Sequence, residues 1–110
     1  MRDESPFRGR WELISVGDCA AGQLNAETRA FIEFAADGQG AFHFAYVRGS
    51  MEYGLAERHT KPAVEFSFDG HDGAAPLCGT GWAVLKGRRL EGALSLHTGE
   101  ELRLVAQRAG

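Results

Sequence analysis

The stretch FIEFAADGQGAFHFAYV, residues 31–47, decides the fold class. Its two halves alternate apolar and polar side chains, the period-two pattern of a strand with one buried face. Between them stands Asp37-Gly38. Both central positions of a tight hairpin turn favour positive φ, and Asp-Gly is among the pairs that tolerate it best. The stretch reads as a β-hairpin. In its second arm Phe42, Phe44 and Tyr46 share one face, while His43, Ala45 and Val47 share the other.

The alternation continues on both sides. Upstream, RWELISV puts Trp11, Leu13 and Ser15 on one face, with Glu12, Ile14 and Val16 opposite. Downstream, MEYGLAER aligns Met51, Tyr53 and Leu55, and AVEFSFD points Val64, Phe66 and Phe68 inward. The runs GWAVLKG, RLEGALSLH and ELRLVAQR complete the series. Turns are expected at Arg48-Gly49-Ser50, His59–Pro62, Lys86-Gly87 and Thr98-Gly99, with the glycines acting as turn punctuation. Two segments break the pattern. Gly17–Arg29 is Ala-rich, and Asn25 there is expected to cap one short helical turn near 24–30. In FSFDGHDGAAPLCGTGW, residues 66–82, positions 69–81 read as the one long loop between strands.

About eight short strands joined by tight turns imply an antiparallel meander. An open sheet of that size leaves two unpaired edges and an uncovered apolar face, and closure removes both. The predicted architecture is therefore all-β: a small antiparallel up-and-down β-barrel of about eight strands, with a two-sheet sandwich as the alternative.

Composition sets the remaining bounds. A chain of 110 residues is expected to form one domain, 1–110, with residues 1–6 as a flexible N-terminal tail. A net charge of −3 and a pI near 5.8 argue against nucleic acid, which selects a basic stripe. No stretch approaches the roughly 20 apolar residues of a membrane span. The opening MRDESPFRGRW has no apolar run, so no secretory signal is read and a cytoplasmic location is expected. Cys19 and Cys78 are then expected to be free thiols, and their spacing does not make a zinc pattern. No metal or cofactor is expected.

Two resemblances attach to particular residues. Gly9-Arg10-Trp11 at the start of the first strand resembles the GxW signature of the calycins, the lipocalin-like barrels. That resemblance implies a Trp at the barrel floor and a basic residue of the last strand, Arg103 or Arg108, packed over it. The chain as a whole, over most of residues 7–101, resembles a group of small bacterial β-rich proteins, on the runs GRWELISV, IEFAADGQGAFHFAYVRGSMEY and AVEFSFDGHDGAAP in particular. It implies a self-contained β domain and supplies no activity.

Three sets of residues are candidates for function. Asp69, His71 and Asp72 put two carboxylates and an imidazole within four residues. They read either as a polar turn or as a loop that touches a ligand or partner. As a catalytic pair, His71 with Asp69 or Asp72 is the weaker reading, resting on the ability of a His beside a carboxylate to titrate near neutrality. His97 could join His71 at one barrel mouth, and His43 is expected on the exterior face. The aromatic set Phe34, Phe42, Phe44, Tyr46, Tyr53, Phe66, Phe68 and Trp82 either fills the barrel or lines a cavity for a flat or apolar ligand, with Phe44, Tyr46, Tyr53, Phe66, Phe68 and Trp82 as the ligand-binding candidates. The favoured expectation is a calycin-like barrel binding a small apolar or aromatic ligand at a mouth gated by residues 69–81. The alternatives are a homodimeric protein-interaction module and a small barrel enzyme.

Overall fold

The computed structural model describes residues 6–19 and 21–108. Eight strands follow one another around a closed antiparallel barrel: β1 (Gly9–Val16), β2 (Phe31–Phe34), β3 (Gln39–Phe44), β4 (Val47–Arg58), β5 (Lys61–Asp72), β6 (Ala75–Lys86), β7 (Arg89–Leu96) and β8 (Glu101–Arg108). Each strand pairs with the next, and β1 closes on β8 with Trp11 opposite Arg108. The expected up-and-down barrel is thus the observed fold. Of the expected tail, residues 1–5 lie outside the described residues.

The opening hairpin forms as its residues dictate. Phe31–Phe34 pairs with Gly40–His43, and Asp37 and Gly38 take φ of 65° and 73° at the turn. Phe34, Phe42 and Phe44 are buried, and His43 faces outward against Glu27 with Nε2 3.0 Å from Oε1.

Register departs from the expected pattern at three places. In β1 a bulge between Leu13 and Ser15 shifts the pairing with β8. One extra residue reverses the parity, so Val16 is buried while Ser15 and Ile14 are not. The expected turn at Arg48–Ser50 lies inside β4, and the chain reverses at Ala45-Tyr46 instead. The third difference is the largest. Residues 69–81 are not a loop. β5 and β6 pair without interruption from Ala63↔Val84 to Asp72↔Ala75, leaving only Gly73-Ala74 as the turn.

The glycines that suggested a loop serve packing. Gly81 pairs with Phe66 and Gly49 pairs with Phe42, so in both a missing side chain faces a large ring, whereas Gly79 stands against the Ser95–Leu96 backbone of β7. A Cβ on Gly49 would stand 2.5 Å from the Phe42 ring, and one on Gly81 would meet the Phe66 ring. Pro76 is tolerated because β6 is paired on its β7 side only from Gly79 onward, so its missing N–H interrupts no ladder there.

The long connection of this barrel is residues 17–30. It carries the one α-helical turn, α1 (Ala21–Leu24), earlier than the expected 24–30. Leu24 is buried and its carbonyl accepts from Ala45 N–H at 2.7 Å, which pins the segment to the β3–β4 turn. Asn25 follows the helical turn instead of capping it, its Oδ1 accepting from Ala30 N–H at 2.7 Å.

Candidate functional site

The two ends of the barrel differ. At the floor Trp11 is 1% exposed and donates its indole N–H to Phe7 O at 2.9 Å. Arg108 lies over the Trp11 ring at 4.2 Å and donates to Arg8 O at 2.7 Å and Pro6 O at 2.6 Å. Of the two arginines considered for this place, Arg108 fills it; Arg103 lines a groove on the outer wall. Above Trp11 the barrel is packed. Phe34 meets Phe7, Tyr53 and Phe66 edge-on at centroid distances of 6.2, 5.0 and 6.4 Å. Tyr53 donates its hydroxyl to Ala35 O at 2.5 Å.

The other end is open. A cavity of about 500 Å³ sinks into the mouth. Its base is formed by Phe42, Phe68 and Leu94 and its walls by Phe44, Leu77, Leu96 and Leu102. Phe42 stacks on Phe44 at 6.0 Å and takes Phe68 edge-on at 5.1 Å, so three rings form one continuous wall. Cys19 and Gln23 from the 17–30 connection, Tyr46 from the β3–β4 turn, Asp72 from the end of β5 and Glu100 before β8 complete the rim. This volume lies within the roughly 300–1,000 Å³ range of small-molecule sites.

The sequence candidates divide among three places. Phe44, Tyr46 and Phe68 meet at the mouth. Phe66 and Tyr53 belong to the packed lower half, so they support the cavity floor without lining it. Trp82 is on the outer wall. It pairs with Ala93 and Glu65, lies under the Arg58 guanidinium at 4.2 Å, and leaves Gly81 and Ala83 to face inward. The facing rings Phe66 and Phe68 already occupy the interior volume, so only small residues of β6 fit there.

The loop cluster is also separated. Asp72 opposes the buried Val47 and reaches the mouth, while neighbouring residues of a strand project to opposite faces, sending His71 outward. Asp69 and His71 share a shallow outer depression with Cys78 and His97. His97 therefore does approach His71, but outside the barrel and not at the mouth. His97 Nδ1 lies 3.1 Å from Cys78 O, and the His97 backbone N–H donates to the same carbonyl at 2.9 Å. Among the described residues no three His, Cys, Asp or Glu side chains converge as a metal site, and Cys19 and Cys78 are both free thiols. No described helix is long and apolar enough to cross a membrane.

Sequence reasoning missed Leu77, Leu94, Leu96 and Leu102 as cavity residues. The signal was present in part: Leu90, Leu94 and Leu96 share one parity in RLEGALSL, as do Leu102 and Leu104 in ELRL. A second groove, about 480 Å³, runs along the outer wall beside Trp82, Val84 and Ala93, flanked by Lys61, Glu91 and Arg103. No protein family matches the sequence, and comparison with curated proteins and with solved structures gives no match.

Proposed function

We propose that the protein binds a small apolar or aromatic compound in the mouth of the barrel. The observation that carries this reading is the 500 Å³ cavity walled by Phe42, Phe44, Phe68 and leucines above a packed floor. A fully stapled core would have filled that volume; here the filling stops half-way up. Burying a drug-sized apolar body against such walls is worth about 25 cal/mol per Å² of apolar surface removed from water. The 17–30 connection adds Cys19 and Gln23 to the rim, and the 69–81 segment expected to gate the mouth is paired strand that contributes Asp72 and Leu77 to its lining. Displacement of an uncharged fluorescent dye, N-phenylnaphthylamine, tests the reading. The dye is expected to brighten with the wild-type protein and to lose at least about tenfold in affinity with Leu96→Trp, which fills the cavity. Equal binding by both proteins would overturn it.

A second reading, an interaction module for a protein partner or a second copy, is favoured by the outer groove, where Trp82, Val84 and Ala93 form an apolar strip. Native mass spectrometry of wild type and Trp82→Ser separates the two: a dimer lost on that substitution supports the module.

A further inference from the structure

We infer that the ligand of the mouth carries a cationic head, an amine or quaternary ammonium, on its apolar or aromatic body. The inference rests on the ligand-binding reading above. It comes from the charges that line the cavity. At the mouth Asp18, Asp72 and Glu100 line one cavity, and no Lys, Arg or His lines it with them. None of the three forms an ion pair or side-chain hydrogen bond among the described residues.

These carboxylates come from three separate places in the chain: the start of the 17–30 connection, the last residue of β5 and the β7–β8 turn. For Asp72 the register determines its place at the mouth. Asp72 stands opposite the buried Val47 and so belongs to the inward set of β5, with Phe68 and Phe66 below it. Next to a low-dielectric wall, three like charges focus a negative potential into the opening. An anionic head would meet repulsion there and find no donor fork. A cationic head would meet three carboxylates, with the Phe44 and Phe68 rings close by to add attraction through their faces. The apolar body then lies between those rings, Leu77 and Leu94.

The test uses the full chain and three probes of matched chain length: decyltrimethylammonium, decanol and decanoate, each below its micelle concentration, by calorimetry and by displacement of N-phenylnaphthylamine. The expected result is that the cation binds about tenfold tighter than the alcohol and the carboxylate weakest, with the preference shrinking as salt rises. Glu100→Gln is expected to reduce the cation preference several-fold. The triple variant Asp18→Asn, Asp72→Asn, Glu100→Gln is expected to abolish it, so that the cation and decanol then bind alike. Equal binding of the three probes, tighter binding of decanoate, or a cation preference unchanged in Glu100→Gln and in the folded triple variant would overturn the charge assignment and leave the apolar site standing. Absence of binding by every probe, the dye included, would overturn the site itself.

Discussion

Gly81 illustrates how little room this barrel leaves. Its missing side chain is the space in which the Phe66 ring sits, and Phe66 in turn packs on Phe34 and Phe68 with 6.4 Å between centroids in both cases. Gly81→Ala gains a little from lost unfolded-state freedom but forces a buried ring off its place, and overpacking of that kind costs about 1–3 kcal/mol. Gly49→Ala presses on Phe42 in the same way, yet Phe42 borders the mouth cavity and has volume to move into. Urea denaturation is expected to rank Gly81→Ala as clearly destabilised and Gly49→Ala as milder. Gly54→Ala, with nothing within 4 Å of the added methyl, should be close to wild type. A Gly81→Ala midpoint equal to that of Gly54→Ala would contradict the packing account.

Among the elements, the β6–β7 hairpin carries a titratable link of its own. Lys86 donates to Glu91 at 3.0 Å. That hydrogen bond and the Lys86 charge hold the Glu91 carboxyl below its ordinary range, against a small opposing effect of desolvation and with help from Arg89 and Arg103. A carboxyl depressed in the folded state contributes stability above its unfolded pKa, and that contribution is lost as pH falls through the folded value. Glu91 is only half-buried and Lys86 is exposed, so the effect is small and screened by salt. The stability difference between wild type and Glu91→Gln is expected to be present near neutrality and to close as pH drops below about 4, as read from denaturation midpoints at low salt. A difference constant across that range would remove the link. The same hairpin shows how an element is terminated: Gly87, at φ 65°, makes the tight turn that the sequence announced with Lys86-Gly87.

For the whole molecule the decisive contact is the seam between the first and last strands. Arg108 lies on Trp11 and holds the carbonyls of Pro6 and Arg8, joining segments about a hundred residues apart in the chain. Arg108→Gln loses the ring contact and the two charge-assisted bonds, worth together about 1–3 kcal/mol. The expected readout is a lower urea midpoint with an unchanged slope. Arg108→Lys should recover only part of it, because an ammonium cannot present a two-pronged fork. Full recovery by lysine would mean that charge alone closes the floor. With the floor packed in this way among the described residues, the proposed ligand would enter at the open mouth, and this is the scale on which dye binding and the cation preference are decided.

Alternation, a strictly local property, was enough to reveal about eight strands, the Asp37-Gly38 turn and the inward Phe42, Phe44, Phe66 and Phe68, while closure into a barrel in preference to a sandwich followed from the cost of unpaired edges. A two-residue period needs only the neighbours along the chain. Tertiary structure decided the rest. The run at 69–81 looked like a loop because its glycines were taken for turns, whereas only Gly73 makes one: Gly81 leaves room for the Phe66 ring of β5, and Gly70 and Gly79 stand against the backbone of neighbouring strands. Trp82 looked like an interior residue by size, and it faces out because Phe66 and Phe68 already fill the space. His71 and Asp72 looked like a pair and are parted by the strand that holds them. Whether a side chain faces in, and which carboxylates meet at the mouth, depends on volume and register across strands far apart in sequence, and no local pattern carries that information.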